Sequence, residues 1–175
     1  MNDVLGLLAE IAAAFTGFAA LVSAFGNAPS EADQRLDKIR LRNLVEVGVA
    51  VVLTATLPLV LFQSARSGDW VWTLCSAVLL AVMVTFFFIH GTRVRAVRVK
   101  ELAGYSRAGE LLLWMLGSIT LGVLLSGLVA PHFIGRELAY ISALWIMTAM
   151  LGVYFIRIAA SLLTHRVAGG GETHE

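Results

Sequence analysis

Val4-Leu-Gly-Leu-Leu-Ala-Glu-Ile-Ala-Ala-Ala-Phe-Thr-Gly-Phe-Ala-Ala-Leu-Val-Ser-Ala-Phe25 is an apolar run broken by a single acid, Glu10. A helix that crosses a bilayer needs roughly 20 apolar residues, and this stretch supplies that length. At helical spacing Gly6, Glu10, Ala13, Gly17, Ala20 and Ala24 fall along one face, while Leu8, Ile11, Phe15, Phe18, Val22 and Phe25 fall along the other. Lipid gives helices no hydrophobic reason to associate, so close approach at small residues has to hold them together. The small face is therefore expected to be buried against protein. A carboxylate facing hydrocarbon costs about 3 kcal/mol or more, which directs Glu10 toward a protein partner, a water-filled space or a cation.

The rest of the chain has the same character. Its 175 residues are 58% hydrophobic, with a mean hydropathy of +0.82, well above a soluble domain of this size. The composition predicts an all-α integral membrane protein whose partner is the lipid bilayer. The net charge is only +1, and the charges lie in patches between apolar runs, a pattern that speaks to topology and not to nucleic acid. The single cysteine, Cys75, has no internal disulfide partner, and no Cys/His grouping has zinc spacing. The first run, with Asp3 in place of a basic leader and Glu10 inside, reads as part of the mature protein and not as a signal peptide.

Gly26 and Pro29 end the first helix, and Ser30 with Asp33 resembles a capping box that starts the next. That second helix reads polar through Asn43 and apolar from Leu44 to Phe62, with no breaker between the halves and Pro58 expected to kink its far end. Trp70 and Trp72 mark an interface before a third run that ends at His90 and continues as a basic helix toward Leu102. Long second and third helices are thus expected to overhang into the cytoplasm. In an antiparallel hairpin centred near Arg66, residues whose numbers sum to about 132 face each other, which pairs Asp37 with Arg95 and Asp33 with Lys100 or Arg98. A fourth run, Leu111 to Ala130, carries Ser118, Gly122 and Ser126 as a small packing line. A fifth, Leu138 to Leu163, contains one charge, Arg157. The domain organisation is one transmembrane helical domain over 1–163 and a disordered tail over 164–175.

Basic residues cluster before the second helix and between the third and fourth, while Arg66 and Arg136 alone occupy the other two loops. The excess of positive charge on one side predicts a five-helix bundle with its N-terminus outside and C-terminus cytoplasmic. A four-span variant, with the first helix in the interface, is the alternative. The small-residue first helix and the arginine-rich patches resemble bacterial inner-membrane proteins. Basic Arg93, Arg95 and Arg98 are candidates for anionic lipid, although topology alone accounts for them.

Glu10 is the leading site candidate, either as a packing acid or as a site for cations or protons, with Ala13, Gly17, Ala20 and Ala24 extending the wall of a pore. Fourth- and fifth-run residues whose numbers sum to about 268 face each other, which makes Glu110 and Arg157 a structural charge pair. Glu46 and His90 are further intramembrane polar groups. No nucleophile motif, phosphate loop or His-Glu-x-x-His motif is present, so no catalytic residue, metal or cofactor is expected and the protein reads as a non-enzyme. The expected function is a small homo-oligomeric channel with the acid-bearing helix near its axis. The rival is a non-conducting scaffold or accessory subunit that docks a cytoplasmic partner.

Overall fold

The computed structural model describes residues 2–25, 31–64, 68–96 and 107–169, with side chains at the outer ends of several helices left out. Six helices follow in order: α1 (Asn2–Phe25), α2 (Glu31–Ser64), α3 (Gly68–Ala96), α4 (Arg107–Val129), the single turn α5 (Pro131–Ile134) and α6 (Arg136–Gly169). Among the described residues only Ala130 and Gly135 are not helical, as expected where no water is present to bond an open backbone. Four helical segments are long and apolar enough to cross a membrane: Lys38–Phe62, Gly68–Arg93, Ala108–Val129 and Arg136–Ala160. The chain is thus an all-helical, multi-pass membrane protein.

Half of the α6 span is buried, more than in any of the other three, and α6 touches α1, α2, α3 and α4. It is the post around which the bundle is built. The core runs through Leu5, Leu8, Leu44, Val51, Leu79, Met83, Leu124, Leu144, Met147 and Leu151. Large apolar residues such as Leu53, Val60, Phe88, Met115 and Ile156 point outward, the arrangement suited to lipid.

Short connections make neighbouring helices antiparallel. Residues 26–30 could not return along the roughly 36 Å length of α1, because a few extended residues reach only about 20 Å. The α1–α2 register is set where Gly48 meets Thr16: a methyl group at Gly48 would overlap the Thr16 hydroxyl, which itself bonds back to the Ala12 carbonyl at 2.7 Å. Residues whose numbers sum to about 64 therefore lie level, which places Glu10 beside Thr54. In the next hairpin Phe62 stacks edge-on against Trp72 with centroids 5.3 Å apart, and Asn43 meets His90. Their number sums of 134 and 133 agree with the expected register near 132.

Several expectations change. The bulky face of α1 and not the small one turns inward: Leu5, Leu8 and Ala12 are buried, and Phe15 and Phe18 pack on Phe155 of α6. Bulky residues fill more of the interior than a close glycine contact would, and α2 already supplies the glycine at Gly48. In α4 likewise, Ser118 and Gly122 are exposed, and the inward line is Leu113, Gly117, Thr120, Leu124 and Gly127. The serines need no partner helix, since Ser118 Oγ donates to the Trp114 carbonyl at 2.9 Å and Ser126 Oγ to the Val123 carbonyl at 2.8 Å. Trp72 is buried between Phe62 and Tyr140, whereas Trp70 is exposed. Helix α6 runs to Gly169, past Leu163, so the first residues of the expected tail are helical.

The connection from α4 to α6 turns on Gly135, whose φ of 68° lies in the left-handed region, where a side chain is disfavoured. Its carbonyl then accepts the Ala139 amide at 3.1 Å and starts α6. Five residues after Gly135, Tyr140 is fully buried and its hydroxyl donates to the Thr54 carbonyl of α2. In an uninterrupted helix that carbonyl would accept the amide of residue 58, but residue 58 is Pro58 and has none. Tyr140 supplies from another helix the donor that proline removed.

Replacing Tyr140 with Phe should therefore destabilise the bundle by about 1–3 kcal/mol, the cost of an unsatisfied buried acceptor. In a Pro58→Ala background, where α2 can close its own hydrogen bond, the same replacement should cost clearly less. Thermal unfolding of the four variants in detergent measures the difference, and an equal cost in both backgrounds contradicts the assignment.

Candidate functional site

The up-and-down order of the helices brings the first half of α2, the end of α3, the start of α4 and the second half of α6 to one end of the bundle. Each carries polar residues there, so groups far apart in sequence converge. Asn43, 1% exposed, and His90, 8% exposed, lie at the centre. The Asn43 amide nitrogen and His90 Nδ1 are 3.0 Å apart, and Tyr154 of α6 lies beside His90 around the same small cavity. On its other side His90 Nε2 lies 3.0 Å from Glu110 Oε1. Trp114 Nε1 donates to that same oxygen at 3.0 Å, an i, i+4 contact along α4.

Toward the membrane edge, Arg93 grips Glu46 with two hydrogen bonds of 2.7 and 2.9 Å, the forked geometry that guanidinium and carboxylate share. Arg42 adds a third, from Nε at 2.8 Å. A longer contact of 3.4 Å joins Arg93 to the Asn43 oxygen. The result is a continuous chain, Arg42–Glu46–Arg93–Asn43–His90–Glu110–Trp114, across three helices. Aromatic rings enclose the His90 end. Phe86 stacks on His90 at 5.8 Å and 10°, Trp114 lies tilted at 5.9 Å, and Phe87 meets Trp114 edge-on at 4.9 Å. A small cavity of about 10 Å³ lies among Phe86, Phe87, His90, Leu113, Trp114, Met150 and Tyr154. It has room for a single water at most.

Of the candidates read from the sequence, Glu46, His90 and Glu110 thus come together. The Arg157 guanidinium lies against Gly109, 3.1 Å from where a side chain there would begin, and its charge acts on Glu110. The expected α4–α6 register therefore holds, and Glu110 Oε1 also accepts hydrogen bonds from His90 Nε2 and Trp114 Nε1. Arg93, expected as a lipid contact, is committed to Glu46. Arg95, Arg98 and the expected pairs of Asp33 and Asp37 lie outside the described side chains, as does Ala24. Asn43, Trp114 and Tyr154 were missed. The hairpin sum near 132 would have placed Asn43 beside His90, had it been applied to uncharged polar residues.

Glu10 is far from this cluster in sequence register and faces outward. It is exposed together with Ala13, Gly17 and Ala20, and no atom comes within 4 Å of a methyl group built at Gly17. The single chain leaves this face open. Among the described residues no three His, Cys, Asp or Glu side chains group as metal ligands. Cys75 is buried and free. No known protein family matches the chain, and neither a curated protein nor a solved structure is significantly similar to it.

Glu110→Leu should leave two donors, His90 Nε2–H and Trp114 Nε1–H, without their acceptor and so destabilise the bundle by about 2 kcal/mol or more. Adding His90→Leu removes one of the stranded donors. The double variant should therefore melt closer to wild type than the sum of the two single effects, and strict additivity in thermal unfolding contradicts a direct bond.

Proposed function

We propose that this protein is a small homo-oligomeric membrane channel for cations, with the Glu10 face of α1 turned toward the oligomer axis. The observation that carries the reading is the outward position of Glu10, Ala13, Gly17 and Ala20 on a helix whose other face packs on α2 and α6. By the α1–α2 register Glu10 is level with Thr54, about 12 Å by helical rise inside the Phe62 end of the α2 span. A carboxylate at that depth is costly against lipid. A second copy of the same face relieves the cost, because small residues permit close approach and facing carboxylates create a polar lining that attracts cations.

The accompanying topology is five spans, N-terminus outside and C-terminus in the cytoplasm of a bacterial inner membrane. The pairing of α1 with α2 along the span supports counting α1, and the basic patches support the orientation. Helices α2 and α3 then extend beyond the cytoplasmic face. Substituted cysteines at Asn2 and Ser67 should react with an impermeant reagent in intact cells, and one at Ala96 should not. Protection of Asn2 with labelling of Ser67 selects four spans.

The function is tested with protein reconstituted in vesicles. Wild type should be an oligomer by native mass spectrometry and should pass potassium, and Glu10→Gln should lower the flux by about tenfold or more while the oligomer persists. An oligomer with no flux in either form selects the scaffold reading, in which the small face only packs. A monomer rejects the channel.

A further inference from the structure

The polar chain at the far end of the bundle has a direction, and it follows from what each group can donate. Arg93 has only N–H groups. The Asn43 atom 3.4 Å from it must therefore be the carbonyl oxygen, whatever orientation the amide would take alone. That leaves the Asn43 NH2 group facing His90 Nδ1 at 3.0 Å. Two donors cannot face each other, so Nδ1 must present its lone pair, and the imidazole proton sits on Nε2. There it meets the Glu110 carboxylate at 3.0 Å, which also takes the Trp114 N–H. Each contact in the series is satisfied in one arrangement only. Arg93 is in turn held by both oxygens of Glu46, and Glu46 is a third exposed at the membrane edge.

We infer that Glu46, Arg93 and Asn43 form a positioning relay that locks His90 in its neutral Nε2–H tautomer, so that the charge state of Glu46 is read at Glu110 two helices along the chain. The charged and titratable groups around His90 fit this arrangement: Glu46 and Arg42 from α2, Arg93 from α3, Glu110 from α4, and Tyr154 and Arg157 from α6. The stacked Phe86 ring and tilted Trp114 ring keep the imidazole from turning over. When Glu46 loses its charge, Arg93 is released, the Asn43 amide can rotate, and its oxygen can then accept a proton from Nδ1. The Nε2 proton passes to the Glu110 carboxylate while Nδ1 takes up a proton from the medium, and the bond between α4 and α3 is then made by a Glu110 O–H that donates to Nε2. The device lies about 16 Å by helical rise from the level of Glu10 and is independent of whether the protein conducts.

The test is nitrogen NMR of protein labelled at its four histidines in lipid at pH about 8, with the His90 signals assigned by their loss in His90→Gln. Wild type should show Nδ1 bare and Nε2 protonated. Glu46→Gln should introduce the Nδ1-protonated form, and Asn43→Asp, which places only acceptors beside Nδ1, should convert most of the signal to it. Glu10→Gln should leave the His90 signals unchanged. A wild-type spectrum with Nδ1 protonated overturns the inference without any variant. So does a Glu46→Gln spectrum identical to wild type; if that variant fails to fold, Arg93→Lys, which cannot fork onto Glu46, is held to the same criterion.

Discussion

Asn43 is the group on which the membrane-edge half of the bundle depends. An amide with donor and acceptor on one side chain can accept from a cation and donate to an imidazole at once, and Asn43 does both while lying almost wholly out of contact with solvent. In hydrocarbon, where apolar packing distinguishes protein from lipid only weakly, such a contact gives helices a definite rotation and height. Leu or Ala at the same place would let α2 slide on α3. The aromatic rings around His90 complete the arrangement by excluding other partners.

The opposite end of the bundle uses a different device for the same purpose. There a proline within α2 opens a backbone acceptor, and a tyrosine from α6 closes it. Between the two ends the contacts are apolar, through Leu79, Met83, Leu144, Met147 and Leu151. Polar pins at both ends with smooth packing between them explain why α6, which touches every other long helix, is the most buried span.

Much of the architecture was legible in the sequence. Apolar runs of membrane length, short connections and the absence of breakers gave the helices and the registers of two hairpins, as the Asn43–His90 contact and the placing of Arg157 beside Gly109 show. What was illegible was which face of each helix turns inward. Small residues suit a close helix contact, but they also suit a surface that lipid or another chain can cover, and spacing cannot tell the two apart. Gly17 and Gly122 turned out on open faces, whereas Gly48 carries the close contact. The site was half legible for a related reason. Charges attract notice in an apolar run, so Glu46, His90 and Glu110 stood out, while Asn43 at the polar margin of α2 and Trp114 within an apolar run did not.

The bond from Tyr140 to Thr54 also constrains how the chain is made. Helix α2 is synthesised before α6, yet α2 carries an open carbonyl that is satisfied from α6. During synthesis that oxygen must find water or another donor until α6 arrives. A bundle in which α6 has not yet docked therefore leaves a polar group of α2 without its partner, so the last step of packing is also the one that removes the penalty left by Pro58.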